Sequence, residues 1–170
     1  MKRVVAVFLL AFVGGFAIET GSVPPKAQLS GENGGIVDGA DWSSSMLRGK
    51  VTILFYVDPD KKDENNALSK ALKAKRFDRK KYRSVAIVNL AATWMPDAVI
   101  EMKLSAKQKE FPDTVYVKDK KKVLVKKWGL KDDASDILLF DKNGKLIYKK
   151  FGKLNQKEID QVIVLIEERL

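Results

Sequence analysis

Lys50-Val-Thr-Ile-Leu-Phe-Tyr-Val57, followed at once by Asp58-Pro59-Asp60-Lys61-Lys62-Asp63, is the stretch that decides the fold. Val51 to Val57 is an almost unbroken run of β-branched and aromatic residues. Such a run reads as a strand buried on both faces in the middle of a sheet. Asp-Pro-Asp ends it, and a helical pattern begins. Open α/β sheets bind ligands at the carboxyl ends of their strands. Residues 58 to 64 are therefore expected on any functional edge of this molecule.

Working outward, Asp63 to Phe77 carries apolar residues at helical spacing, Ala67, Leu68, Ala71 and Leu72, with no interior Gly or Pro. Ser84 to Leu90 reads as a second buried strand. Ala91 to Met95 is a loop, Pro96 suits a first helical turn, and Asp97 to Glu110 supplies the helix. Thr114 to Val117 and Val123 to Val125 flank a charged turn and predict an inserted strand pair. Ile137 to Phe140 and Leu146 to Tyr148 flank Asn143-Gly144, a strong hairpin signal. Asn155 and Glu158 have capping-box spacing. They open a last helix whose buried stripe is Ile159, Val162, Ile163 and Ile166. In the N-terminal extension, Ala27 to Leu29 and Ile36-Val37 predict a short hairpin across Ser30 to Gly35. Asp41 to Leu47 predicts a brief helical turn.

The chain has 170 residues, enough for one domain with a real core. It carries a formal net charge of +10 and contains no Cys and no His. Without Cys there are no disulfides, thiolate metal ligands or thiol nucleophiles. Without His the usual general base and zinc ligand are gone. Ser43-Ser44-Ser45 consequently has no imidazole to activate it, and reads as loop or cap.

Lys2 and Arg3 precede an apolar stretch from Val4 to Phe16, with small residues at Gly15 and Ala17. This pattern predicts a secretory signal peptide over residues 1–17, cleaved after Ala17, and a periplasmic protein. The apolar run is short for a membrane anchor. No transmembrane segment is expected in the mature chain. Residues 18–49 form the extension and 50–170 the main domain.

The order strand, helix, strand, helix, strand pair, hairpin, helix gives an α/β architecture with a central mixed sheet flanked by helices, and with Gly49-Lys50-Val51 entering an apolar strand it resembles the thioredoxin fold. Trp128-Gly129-Leu130 through Phe140 to Leu146 resembles the second half of that fold, and Glu19-Thr20-Gly21 with Val23-Pro24-Pro25, Gly49-Lys50-Val51 and Val88-Asn89 together resemble the YtfJ family of Gram-negative periplasmic proteins. The resemblance spans essentially the whole mature chain. It implies the thioredoxin-like fold and the periplasm, and carries no biochemical activity with it. It places Asp60-Lys61-Lys62-Asp63 where redox thioredoxins hold Cys-x-x-Cys, and Ser135 where they hold the cis-proline. Thiol–disulfide exchange needs a thiolate. The chain is thus not expected to be a thiol–disulfide oxidoreductase.

Three features are candidates for function. Asp58, Asp60, Asp63, Asp133, Ser135 and Asp136 mark the position of the lost redox site. They read either as helix caps at Asp60 and Asp63 or as a ligand or cation edge. Trp94 and Met95, at the end of the second sheet strand, read either as peptide-docking residues or as packing over the sheet end. Lys80, Lys81, Lys120, Lys121 and Lys122 belong to two basic runs. These read either as a solvated surface or as a contact for anionic lipid heads or envelope polymers. Nucleic acid is not an expected partner, since export and the lack of interleaved aromatics argue against it. The expected role is non-catalytic binding or scaffolding of an envelope protein or anionic polymer, with no cofactor and no metal. The alternative is a metal-dependent or carboxylate-based hydrolase using the acidic loops.

Overall fold

The computed structural model describes residues 17–170. The proposed signal segment, up to Phe16, lies outside them. Its centre is a six-stranded mixed sheet. Three strands run parallel: β4 (Val51–Val57), β5 (Tyr82–Asn89) and β6 (Thr114–Asp119). On one side β7 (Ser135–Phe140) and then β8 (Leu146–Lys150) continue the sheet antiparallel. On the other side β2 (Gly34–Ile36) closes the β6 edge, also antiparallel. β1 (Gln28–Leu29) and β3 (Trp42–Ser43) form a separate two-stranded piece.

β4 lies between β5 and β7, and its side chains alternate between two cores. Leu54 and Tyr56 join Trp42, Ile87, Val117, Trp128 and Phe140 on one face. Ile53 and Phe55 join Ile137 and Leu139 on the other. There they meet Leu68 and Leu72 of α1 (Asn66–Lys75) and the Ile159, Val162, Ile163 and Ile166 stripe of α4 (Gln156–Glu167). Burial on both faces is why the strand has no polar alternation. α2 (Asp97–Glu110) packs Ile100 and Leu104 against Val88 and Leu90.

The hairpin and the last helix follow their local signals. Gly144 takes φ +76 in the turn, where the Asp141 carboxylate accepts from the N–H groups of Asn143 and Lys145. Asn155 and Glu158 form the reciprocal capping box of α4.

Three local expectations are corrected. The inserted strand pair does not form. Its first half is β6, a full member of the sheet, and its second half is α3 (Val123–Trp128). Leu124 and Trp128 are the buried positions, four residues apart, so the spacing is helical and the short apolar triplet only mimics alternation. The Asp119 carboxylate fixes the start of α3 by accepting from the N–H groups of Val123 and Leu124 at 2.9 and 3.0 Å. The hairpin across Ser30 to Gly35 is also absent: β1 pairs with β3, and β2 pairs with β6. A Cβ at Gly34 would fall 1.9 Å from the Lys118 carbonyl oxygen, so only Gly lets the chain lie this close to β6. Finally, α1 begins at Asn66 rather than Asp63, after a 3-10 turn over Pro59–Lys61. It ends where Arg76 adopts the left-handed conformation.

Candidate functional site

The carboxyl ends of β4, β5 and β6 and the start of β7 meet at one edge of the sheet, since Val57 pairs with Ser135 and Asn89 with Asp119. Asp58 follows β4 and is 5% exposed. Its N–H donates to the Ala134 carbonyl at 2.9 Å, and its carboxylate accepts from the Asp60 N–H at 2.8 Å. Burial pushes the Asp58 carboxyl up, while the Asp60 amide works against that rise. Asp58 is therefore the cap of the Pro59–Lys61 turn.

The capping role expected of Asp60 and Asp63 is corrected accordingly. Both are exposed. Asp63 accepts from the Asn66 side-chain amide at 3.0 Å and pairs with Lys62, and caps no backbone N–H through its side chain. The Lys62 hydrogen bond holds its carboxyl below the usual carboxylate range.

Ser135 is buried, and both of its backbone polar groups are occupied by side chains from the start of α1. Its N–H donates to Glu64 Oε2 at 3.2 Å, and its carbonyl accepts from Asn65 Nδ2 at 2.8 Å. Asn65 also donates to the Gly152 carbonyl at 3.2 Å and accepts from the Leu154 N–H at 3.0 Å. One buried amide thus ties α1, β7 and the segment leading into α4 together. Pattern reading missed Asn65, because its partners lie 70 to 89 residues away.

Behind this clamp lies a buried polar layer. The Tyr56 hydroxyl donates to Asp119 Oδ2 at 3.1 Å. Asn89 Nδ2 donates to Asp132 Oδ1 at 2.8 Å, and Lys122 Nζ donates to Asp132 Oδ2 at 2.5 Å. Burial tends to raise the Asp132 carboxyl, but the Lys122 and Asn89 hydrogen bonds outweigh it and hold the group low. Burial, with the Asp119 carboxylate beside it, pushes the Tyr56 phenol up.

Asp136 is fully buried. Its Oδ2 accepts from the Lys131 N–H at 2.7 Å, while Oδ1 has no hydrogen-bond partner. Burial pushes its carboxyl up to about 6, against the lowering effect of the Lys131 amide. Asn89 Oδ1 is likewise buried without a partner. Tyr56, Asn89 and Asp119 were also missed. Their one sequence signal is a polar group at the end of an otherwise apolar strand. Asp133 is exposed and adds a repelling charge beside Asp136. Among the described residues, no three acidic side chains converge as a cation site requires.

Trp94 is 89% exposed beyond the end of β5. The alternative of packing over the sheet belongs to its neighbour Met95, which rests against the cluster of Val88, Leu90, Ile100 and Leu104. Met102 of α2 is also exposed, at 68%. The lysines expected as one basic surface separate. Lys80 and Lys81 precede β5, whereas Lys120, Lys121 and Lys122 follow β6, which runs parallel to it. The two groups sit at opposite ends of the sheet. The second group is also neutralised: Lys120 pairs with Glu101 at 2.7 Å, Lys121 with Glu32 at 2.9 Å and Lys122 with Asp132.

The fold is that of a thioredoxin-like protein, in a chain without cysteine whose strand ends carry carboxylates and amides. Solved structures agree on the fold. A thiol peroxidase from Chromobacterium violaceum superposes with a TM-score of 0.65 at 12% identity, over 91% of this chain and 89% of that one. The thioredoxin domain of a thiol-disulfide oxidoreductase from Bacteroides vulgatus superposes with a TM-score of 0.62 at 18% identity, over 88% and 99%. Residues 21–169 match the family described as "Bacterial protein of unknown function (YtfJ_HI0045)", and the chain belongs to that family. It is 30% identical over 133 residues to an uncharacterized protein of Haemophilus influenzae, covering 74% of this chain and 70% of the relative. It is 27% identical over 137 residues to the uncharacterized protein YtfJ of Escherichia coli, covering 76% and 72%.

Proposed function

We propose that this chain is an exported, non-catalytic binding protein of the cell envelope, and that it docks a partner protein at the sheet edge carrying Trp94. The observation that carries this reading is Trp94 itself, at 89% exposure beyond the end of β5, in a chain that has no thiol. A large aromatic left in water is the residue type that anchors protein interfaces. The surroundings support a rigid platform rather than a reacting centre. Ser135 is clamped by Glu64 and Asn65, and the carboxyls of Asp119, Asp132 and Asp136 are tied to O–H, ammonium and N–H donors.

A carboxylate hydrolase is the second reading, favoured only by the raised Asp136. A catalytic carboxyl must come within hydrogen-bond reach of its substrate. Asp136 is fully buried, so it meets no substrate in this conformation.

Site-specific photo-crosslinking tests the docking. A benzoylphenylalanine at position 94 should trap a discrete partner in living cells. The same group at position 164, another exposed apolar site, should not. Equal yield from both positions, or no adduct from either, would overturn the reading. Export is tested separately by mass spectrometry of the periplasmic fraction. The mature chain should start near Ile18, and an intact Met1 would refute cleavage.

A further inference from the structure

The opposite end of the sheet from Trp94 holds a cleft with a basic lining. The cleft, of about 530 Å³, opens where Leu47 and Arg48 lead into β4 and the β7–β8 turn comes alongside at Gly144. Its charged lining groups are all cations: Lys26, Arg48 and Lys127. Ser43, Ser44 and Ser45 line the same cleft. Among the described residues, none of the three cations has a carboxylate within ion-pair distance. Lys118, Lys120, Lys121 and Lys122 all have one. Like charges gathered in a concave site without counter-charge raise the local concentration of anions.

The polar groups around the cleft are arranged as donors. Lys127 Nζ donates to the Lys26 carbonyl at 3.3 Å, which brings the two basic residues to one side. The Ser44 oxygen accepts from the Ala27 N–H at 3.1 Å, so its own O–H is free to donate. Ser43 and Ser45 share one hydrogen bond at 2.5 Å, which leaves one of those two hydroxyl hydrogens free. Arg48 lies against the glycine of the hairpin turn: a Cβ at Gly144 would come within 3.0 Å of Arg48 Cγ. The turn therefore leaves room for the arginine stem, and Arg48 lines the cleft. A guanidinium fork matches two oxygens of a phosphate, and the lysines supply point charges.

We propose that this cleft binds a phosphate monoester carried on a body of sugar size. Arg48 holds the phosphate, with Lys26, Lys127 and the serine hydroxyls around it. The volume falls within the range of small-molecule sites and exceeds what bare phosphate needs. The inference is independent of the docking role of Trp94, which lies at the other end of the sheet. The phosphate has two possible sources, a soluble sugar phosphate and a lipid headgroup.

The test is a titration of the nitrogen-15-labelled protein with glucose 6-phosphate in roughly 150 mM salt, an ionic strength that screens diffuse surface charge. Amide shifts should saturate and be confined to residues 26–28, 43–48, 127 and 144. Glucose alone should give none. Arg48→Gln should weaken binding by about tenfold or more, the worth of one charge-assisted hydrogen bond. Lys157→Gln, at an exposed site on α4, should leave binding unchanged. Arg48→Lys, which keeps the charge and loses the fork, should fall between. Vesicles of phosphatidic acid in phosphatidylcholine form the second arm. Arg48-dependent binding to them in addition assigns a lipid headgroup, and binding of the sugar phosphate alone assigns a soluble ligand. Shifts that never saturate and spread over the exposed lysines would overturn the proposal. So would equal losses in Arg48→Gln and Lys157→Gln, or vesicle binding with no response to the soluble ester.

Discussion

Replacing Asp136 by Asn should make the protein more stable at pH 8 and leave it nearly unchanged at pH 4. The carboxyl is fully buried, one of its oxygens has no partner, and burial lifts it to about 6. A carboxyl raised in the folded state stabilises that state in full below its unfolded value, near 4. That contribution is lost as the pH climbs through about 6. Above this window the native protein holds an ionised group where a neutral one fits better. A rise from near 4 to about 6 corresponds to about 3 kcal/mol at roughly 1.36 kcal/mol per decade. Relaxation around the buried group reduces this, so a gain on the order of 1–3 kcal/mol is expected for Asp136→Asn at pH 8. Asn keeps an oxygen to accept from the Lys131 N–H, so the existing hydrogen bond survives. Urea unfolding at pH 4, 6 and 8 reads the difference, with the buried Trp42 and Trp128 as fluorescence probes. A substitution effect that does not change with pH would refute the reasoning. So would a variant less stable than the parent at pH 8.

Other outcomes follow from the same edge. Asp58→Ala should cost about 1 kcal/mol, as the loss of a cap does. Asp63→Ala should change stability by less than about 0.5 kcal/mol, as at other exposed sites; chemical denaturation of the pair checks the assignment. Asn65→Ala leaves the Ser135 and Gly152 carbonyls and the Leu154 N–H without their partner. It should cost roughly 3 kcal/mol, and a midpoint unchanged in urea would show that water replaces the amide fully. In an insulin-reduction assay the protein should show no turnover, because it has no thiolate to exchange.

Much of the fold was legible because its signals are local. The β4 run needs no partner to be recognised, and neither do the Asn143-Gly144 turn or the Asn155 and Glu158 box. Each carries its own backbone instruction in a few residues. The failures came where contacts beyond the periodic pattern decide, some of them near in sequence and some far. Whether Val123 to Val125 extends or coils is set by Asp119 capping the N–H groups and by Leu124 and Trp128 reaching one core. The partner of β2 is fixed by Gly34 fitting against the Lys118 carbonyl, more than 80 residues away. At the candidate edge, the sequence located the acidic loop but not which carboxylate it buries. Asp58, Asp60 and Asp63 read alike in one dimension, and the folded chain sets the first apart by burying it, pairing its N–H with the Ala134 carbonyl and aiming its carboxylate at the Asp60 N–H. The basic runs read as one surface because sequence pattern does not report which strand end each follows. It does not report the acidic partners that neutralise Lys120, Lys121 and Lys122 either.

The affinity of the purified protein for the partner captured at position 94 tests the central claim most directly. Trp94→Ala should weaken that affinity at least about tenfold, as removal of a buried aromatic anchor does. Arg48→Gln, at the far end of the sheet, should leave it within about twofold. Equal affinity for the parent and Trp94→Ala would contradict the account, since the exposed tryptophan would then anchor nothing.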